Sequence, residues 1–149
     1  LLSSIDWETG SERKNYYGIS ILIGPDGKIL GRYNKIFLIP FGEKIPFSDW
    51  FPGLAQWLRN SISNMSEFKA GTEYTSFSMQ NGLILSAPIC FDIFSGEIIR
   101  NMTRNGAGLV ANLSNLAWFG QTNATDSMEA FVRWRAIENR VPIFFVSNN

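Results

Sequence analysis

The only cysteine of the chain, Cys90, ends an apolar run in "LILSAPICFDIFSG" (83–96). A nucleophilic cysteine usually takes histidine as its base, and this chain has no histidine. The pattern places Cys90 between a strand and a helix, where backbone N–H groups lower a thiol pKa and can bind an oxyanion. Free cysteine is also among the most buried residue types. Position alone therefore leaves open a nucleophile and an inert core thiol.

A second stretch that could do chemistry is "YNKIFLIPFGEKIPF" (33–47), which holds Lys35 among apolar residues and then Glu43. Charged side chains normally lie on the surface, so the ordinary interpretation is a solvated lysine and a loop glutamate. In a partly dry cleft, however, the ammonium could stabilise an oxyanion. A carboxylate there could act as general base towards a thiol that has no histidine.

The elements that must position these residues follow from the hydrophobic pattern and the turn signals. "GPDG" (24–27) and "QNG" (80–82) predict the turns of two hairpins. Hairpins followed by alternating strands and helices predict a layered α/β domain. The predicted strands cover 16–23, 28–35, 73–79, 83–89, 107–114 and 142–147, and the predicted helices cover 52–63, 95–105 and 126–140.

The helix over 126–140 has the strongest pattern of the three. Asp126 and Glu129 have the spacing of a capping box. Its apolar residues recur at helical spacing, which predicts one buried side. The residues expected on that side are Met128, Phe131, Val132 and Ile137.

The composition narrows the function classes. A length of 149 residues with 45% hydrophobic residues fits one globular domain, or most of one. The 13 basic and 13 acidic residues balance, so we expect no nucleic-acid partner. No Cys/His cluster or Gly-rich phosphate loop occurs, so we expect no metal and no cofactor. The chain opens without Met and stops inside an apolar run, and we expect it to be a segment of a longer protein.

Four stretches together resemble the carbon–nitrogen hydrolase (nitrilase) superfamily, and most closely the nitrilase-like domain of the bacterial apolipoprotein N-acyltransferase family. They occur in the expected order and span nearly the whole segment, 1–149. The stretches are "GPDGKILGRYNKIFLIPFGEKIPF" (24–47), "ICFDIFSGEIIR" (89–100), "ANLSNLAWFG" (111–120) and "RWRAIENRVPIFFVSNN" (133–149). The resemblance implies an α-β-β-α sandwich, incomplete here at both ends.

The resemblance also implies roles for individual residues. Cys90 would be the nucleophile of a Glu-Lys-Cys triad, Lys35 its lysine and Glu43 a second glutamate near that lysine. Lys35 and the backbone N–H of Phe91 would form the oxyanion hole. The general-base glutamate lies upstream in the family, so we expect the segment alone to be inactive. The residues expected to contact substrate are Trp118, Phe119, Phe91 and Asp92.

The activity implied is transfer of a fatty acyl chain from a phospholipid, through a cysteine thioester, to the N-terminal cysteine amine of an apolipoprotein. The domain would then face the periplasm at the bacterial inner membrane, anchored by helices outside this segment. Two alternatives stay open. One is a soluble, cytoplasmic amidase of the same superfamily, and the other is a catalytically dead nitrilase-like binding domain.

Overall fold

The computed structural model describes residues 1–9, 14–46, 48, 50, 51, 53, 57, 68–120 and 122–148. The first sheet is antiparallel, with β1 (Leu2–Thr9), β2 (Lys14–Ile23) and β3 (Ile29–Asn34) in that order. The hairpin of β2 and β3 is as predicted. β1 was not predicted, and its Ile5 is exposed; this strand forms by pairing with β2 along its whole length.

The second sheet has four strands in chain order: β4 (Ser76–Ser78), β5 (Ile84–Ser86), β6 (Leu109–Ser114) and β7 (Ile143–Ser147). β4 and β5 form the predicted antiparallel hairpin, with Gly82 at positive φ in its turn. β5, β6 and β7 run parallel. Parallel neighbours need crossover connections, and each of the two crossovers contains one α-helix.

The first crossover helix, α1 (Gly96–Arg104), begins at Ser95, whose Oγ accepts a hydrogen bond from the N–H of Ile98. The second, α2 (Ala124–Asn139), ends at Arg140 in the left-handed conformation. The predicted capping box was wrong, because α2 begins earlier and Asn123 occupies the N-cap without a side-chain hydrogen bond. The predicted helix over 52–63 lies mostly outside the described residues.

The buried side of α2 is also narrower than predicted. Met128 and Val132 are buried, but Ile137 is 79% exposed. The expectation for Ile137 was therefore wrong: at about 100° per residue, Ile137 lies about 180° around α2 from Met128, on the opposite face of the helix.

Two apolar clusters form the core. The first joins the sheets to α1 and contains Leu22, Tyr33, Phe77, Leu85, Ala87, Ile98, Met102 and Ala111. The sheets approach so closely that a Cβ on Gly31 would meet the ring of Phe77 at 2.5 Å. The second lies around the residues after β5 and contains Cys90, Ile93, Ile99, Leu116, Met128 and Val132. Two packed sheets with crossover helices confirm the predicted α/β class, and the described residues form part of the expected sandwich.

Candidate active site

Lys35 follows β3 directly and is almost completely buried, at 2% exposure. Its Nζ donates to both carboxylate oxygens of Glu43, at 2.6 and 2.7 Å. A buried ammonium needs such a partner, because removing one member of a buried ion pair leaves an uncompensated charge. The structure therefore brings together the two charged residues that the sequence had singled out.

A tight turn over 39–44 aims Glu43 back at Lys35. The backbone N–H groups of Gly42, Glu43 and Lys44 all point to the carbonyl oxygen of Ile39. In return, the N–H of Ile39 donates to Glu43 Oε2 at 2.9 Å. The carboxylate is thus held by its own turn as well as by the ammonium, which fixes the direction in which Lys35 points.

Cys90 is the first residue of a short 3-10 helix, Cys90–Phe94, which follows shortly after the end of β5. Its φ of 50° lies in the left-handed region, where a non-glycine residue is uncommon. Such conformations persist only where the surroundings hold them, and they cluster at functional sites. The thiol is 7% exposed. It stands at a sharp turn between the second sheet and α1.

Two effects of opposite sign act on the Cys90 thiol. Burial raises its pKa above the ordinary value and is the larger effect. The Lys35 ammonium lowers the pKa, as does the hydrogen bond from the Phe91 N–H. The carboxylates of Glu43 and Asp92 oppose these two effects by raising the pKa of the thiol.

Asp92 is fully buried and lies beneath this site. Its Oδ1 accepts from the N–H of Phe37 at 2.8 Å. Its Oδ2 accepts from the N–H of Ile89 and from the Tyr33 hydroxyl, each at 2.9 Å. Burial raises the pKa of the Asp92 carboxyl in spite of these bonds. Because three protein donors occupy it, the geometry favours a positioning role over the substrate contact expected from the sequence.

The Asp92 carboxylate joins two separate parts of the chain. Tyr33 and Phe37 flank Lys35, whereas Ile89 immediately precedes Cys90. One side chain therefore sets the distance between the lysine segment and the cysteine turn. The sequence does not show this role because two of the three donors, Tyr33 and Phe37, are remote along the chain.

Aromatic rings line one side of Cys90. The rings of Phe91 and Phe119 are stacked, with centroids 6.0 Å apart, and Phe91 also contacts Phe94 at 4.9 Å. Phe91 and Phe119 are partly buried against the cluster that contains Cys90. The backbone of Trp118 lies in the turn Ala117–Phe119, but its side chain lies outside the described part. Two of the residues expected to contact substrate thus form an apolar wall beside the thiol.

Asn112 is a buried polar residue that sequence reasoning gave no role. It lies in β6, and its Nδ2 donates to the carbonyl oxygen of Cys90 at 3.2 Å. Its Oδ1 accepts from the Ser114 hydroxyl at 2.9 Å. An asparagine inside a buried strand was the available signal, because buried polar groups require partners.

The described residues contain no group of three or more His, Cys, Asp or Glu side chains that could hold a metal ion. None of the described helices is both long and apolar enough to cross a membrane.

The sequence profile of the carbon-nitrogen hydrolase family matches residues 2–149. The chain belongs to the carbon–nitrogen hydrolase family. The lysine, glutamate and cysteine described above thus lie within a hydrolase-family domain.

Several relatives of this carbon–nitrogen hydrolase domain are named apolipoprotein N-acyltransferase. The apolipoprotein N-acyltransferase of Geobacter metallireducens is 30% identical over 148 residues, which are 99% of this chain and 27% of that protein. The apolipoprotein N-acyltransferase of Chlorobaculum tepidum is 34% identical over 129 residues, 83% of this chain and 24% of that protein. The chain spans about a quarter of the length of these relatives.

Solved structures share the fold. A carbon-nitrogen hydrolase from Helicobacter pylori superposes with a TM-score of 0.65 at 19% identity, over 98% of this chain and 46% of that one. At this identity the likeness shows the fold alone. The predicted nitrilase-like sandwich is confirmed.

Proposed function

We propose that this chain forms the acyl-transfer site of an apolipoprotein N-acyltransferase, in which Cys90 carries a fatty acyl chain as a thioester. The observation that supports this most is a Lys35–Glu43 ion pair, with Lys35 buried, beside a thiol held in a left-handed turn; Lys35 lowers the pKa of that thiol and Glu43 raises it. The names of the relatives that match almost the whole chain support the substrate class. The acyl donor is a phospholipid, and the acceptor is the N-terminal cysteine amine of an apolipoprotein.

In the first half-reaction, the Cys90 thiolate attacks the ester carbonyl carbon of the phospholipid. The carbonyl oxygen becomes an oxyanion, which Lys35 Nζ and the Phe91 N–H stabilise. The intermediate collapses, the carbon–oxygen ester bond breaks, and lysophospholipid leaves with the proton that the thiol gave up. The product on the protein is a thioester.

Glu43 orients Lys35 in this scheme and does not take the Cys90 proton. Both of its oxygens already accept from the ammonium, and one also accepts from Ile39. The general base is assigned instead to a glutamate upstream of residue 1, as the family resemblance implies. The triad then consists of that glutamate, Lys35 and Cys90.

In the second half-reaction, the free α-amine of the apolipoprotein attacks the thioester carbonyl. An amide forms, the carbon–sulfur bond breaks, and the thiol is restored. Phe91 and Phe119 offer an apolar surface to the acyl chain while it is bound to Cys90. Since the donor is a lipid, we place the reaction at the bacterial inner membrane, with this domain on the periplasmic side.

The full reaction is the test. The intact protein in detergent is incubated with phosphatidylethanolamine and a peptide that has an N-terminal lipid-modified cysteine, and the peptide is analysed by mass spectrometry. We expect one additional acyl chain, in amide linkage to the α-amine. The Cys90→Ala variant, which changes only the nucleophile, should give none.

Two other results would replace the proposal. Hydrolysis of small amides without acyl transfer to the peptide would identify an amidase of the same family. Absence of both reactions, in a protein whose Cys90 is intact and reduced, would identify a nitrilase-like domain that binds without catalysis.

A further inference from the structure

We infer that Asn112 is a positioning residue that fixes the orientation of the Cys90–Phe91 peptide and thereby aims the Phe91 N–H at the reacting carbonyl. The inference rests on the proposed function for its chemistry. Its geometric basis lies in four hydrogen bonds within β6 and the cysteine turn.

The first observation concerns the peptide itself. The carbonyl of Cys90 and the N–H of Phe91 belong to one planar unit and point in opposite directions, because every described peptide is trans. Whatever holds the carbonyl therefore also aims the N–H. Asn112 Nδ2 holds that carbonyl at 3.2 Å, from the β6 side. On the opposite side, the Phe91 N–H lowers the pKa of the Cys90 thiol.

The second observation is that the turn needs such a restraint. Cys90 has a φ of 50°, a conformation in which a non-glycine residue is rarely found. Rotation of the Cys90–Phe91 peptide about the Cα–C bond of Cys90 would turn the Phe91 N–H away from its present direction without relieving that φ. A second contact anchors the segment that leads into the turn: the carbonyl of Pro88 accepts from the Leu113 N–H at 3.0 Å and lies 3.5 Å from Asn112 Nδ2.

The third observation is that the side-chain amide of Asn112 has only one possible orientation. Two carbonyl oxygens face its nitrogen, so an oxygen in that place would meet acceptors. The Ser114 hydroxyl donates to Oδ1 from the other side. Asn112 is completely buried, away from bulk solvent. A buried amide whose partners are all satisfied is the arrangement that rigidifies its neighbours.

The test compares Asn112→Leu with a matched control in the intact protein. Leucine has a similar size but cannot donate to the Cys90 carbonyl. The control is Asn105→Leu, which also deletes an amide that donates to a backbone carbonyl, that of Tyr74 at 3.3 Å, but on the exposed surface. Each variant is assayed for acyl transfer from phosphatidylethanolamine and for alkylation of Cys90 by iodoacetamide across pH.

The two assays separate peptide orientation from general damage. Loss of one oxyanion-hole donor lowers kcat by about a hundredfold or more, and we expect this for Asn112→Leu with KM little changed. Alkylation displaces iodide at a saturated carbon and builds no oxyanion, so its limiting rate at high pH should stay within about threefold. The midpoint of the alkylation profile should move to higher pH, because the Phe91 N–H no longer lowers the pKa of Cys90. Asn105→Leu should match wild type in every readout.

A wild-type kcat and an unmoved alkylation midpoint in Asn112→Leu would overturn the inference. So would an equal fall of kcat and limiting alkylation rate, which would indicate ordinary packing. If Asn112→Leu does not fold, Ser114→Ala decides: it removes only the donor to Asn112 Oδ1, and we expect a smaller loss of kcat with the limiting alkylation rate unchanged. A wild-type kcat in Ser114→Ala would contradict the inference. If the wild-type protein transfers no acyl chain, the proposed function fails, and the alkylation midpoint still tests the orientation.

Discussion

Replacing Asp92 with asparagine tests whether one carboxylate holds the lysine segment and the cysteine turn together. In the wild type, Asp92 accepts from the backbone N–H groups of Phe37 and Ile89 and from the Tyr33 hydroxyl. Asparagine has the same shape, but one of its two terminal atoms is a donor. Whichever way the new amide turns, its nitrogen meets at least one of these three donors.

The cost follows from the best orientation. Oδ1 of the new asparagine can keep the hydrogen bonds from the Ile89 N–H and the Tyr33 hydroxyl. The NH₂ group then faces the N–H of Phe37. A hydrogen bond to a charged group contributes about 1.5–3 kcal/mol, and an unsatisfied donor costs about 1–3 kcal/mol more. An amide is cheaper to bury than a carboxylate, which offsets part of the loss. We expect the local free energy of opening to fall by about 2 kcal/mol.

Hydrogen exchange measured by mass spectrometry reports this free energy of opening separately for each peptide of the chain. About 2 kcal/mol corresponds to roughly thirtyfold faster exchange. In Asp92→Asn we expect this acceleration in peptides that cover 33–41 and 85–94. The peptide that covers α2 should not change. The matched control is Asp126→Asn, since Asp126 is exposed in the first turn of α2, and it should leave 33–41 and 85–94 unchanged.

Exchange rates within about threefold of wild type at both peptides would contradict this role of Asp92, since that change corresponds to well under 1 kcal/mol. An equal acceleration of exchange throughout the domain would also contradict this prediction, because Asp92 would then have no local role. Where the variant stays folded, thioester formation at Cys90 should fall at least about tenfold, since small misplacements of reacting groups are costly.

Two further predictions concern Lys35 and the residues that pack against its segment. Lys35→Met removes the positive charge that lowers the pKa of the Cys90 thiol, so the pKa rises and the iodoacetamide alkylation midpoint moves to higher pH; an unmoved midpoint would show that the charge does not reach the thiol. Gly71→Ala should lower the melting temperature clearly, because its Cβ would lie 2.2 Å from the carbonyl oxygen of Asn34. Among the described residues, no atom lies within 4 Å of a Cβ built on Gly53, so Gly53→Ala serves as the control; equal melting temperatures for the two variants would contradict the steric argument.

The parts of the fold that were predictable carry local signals. "GPDG" and "QNG" specify turns whatever surrounds them, so both hairpins were predicted with their partners. The strand at 109–114 was predicted because it lies in a mostly apolar stretch, 107–114, that is bounded like a buried strand. β1 carries no such signal: its Ile5 is exposed, and the strand exists because β2 offers it a paired edge. The burial of Ile137 was predicted wrongly, because its spacing from Met128 places it about 180° around α2, opposite the buried face.

The same division holds for the site. Cys90, Lys35 and Glu43 stood out because a lone thiol and two charges in apolar surroundings are visible in a sequence. Asp92 and Asn112 act through backbone groups that are distant along the chain, and a sequence does not show which carbonyl or N–H a buried side chain will face. A strained φ at Cys90 is likewise a property of the folded turn.

The most direct measurement of the central claim is intact-protein mass spectrometry of the acyl-enzyme. The intact protein is incubated with phosphatidylethanolamine and no acceptor, and the reaction is quenched at mildly acidic pH. We predict that the wild-type protein gains the mass of a fatty acyl chain, that hydroxylamine removes this increment, and that Cys90→Ala lacks it. An increment that survives in Cys90→Ala, or no increment on a wild-type protein whose thiol iodoacetamide can still alkylate, would contradict it.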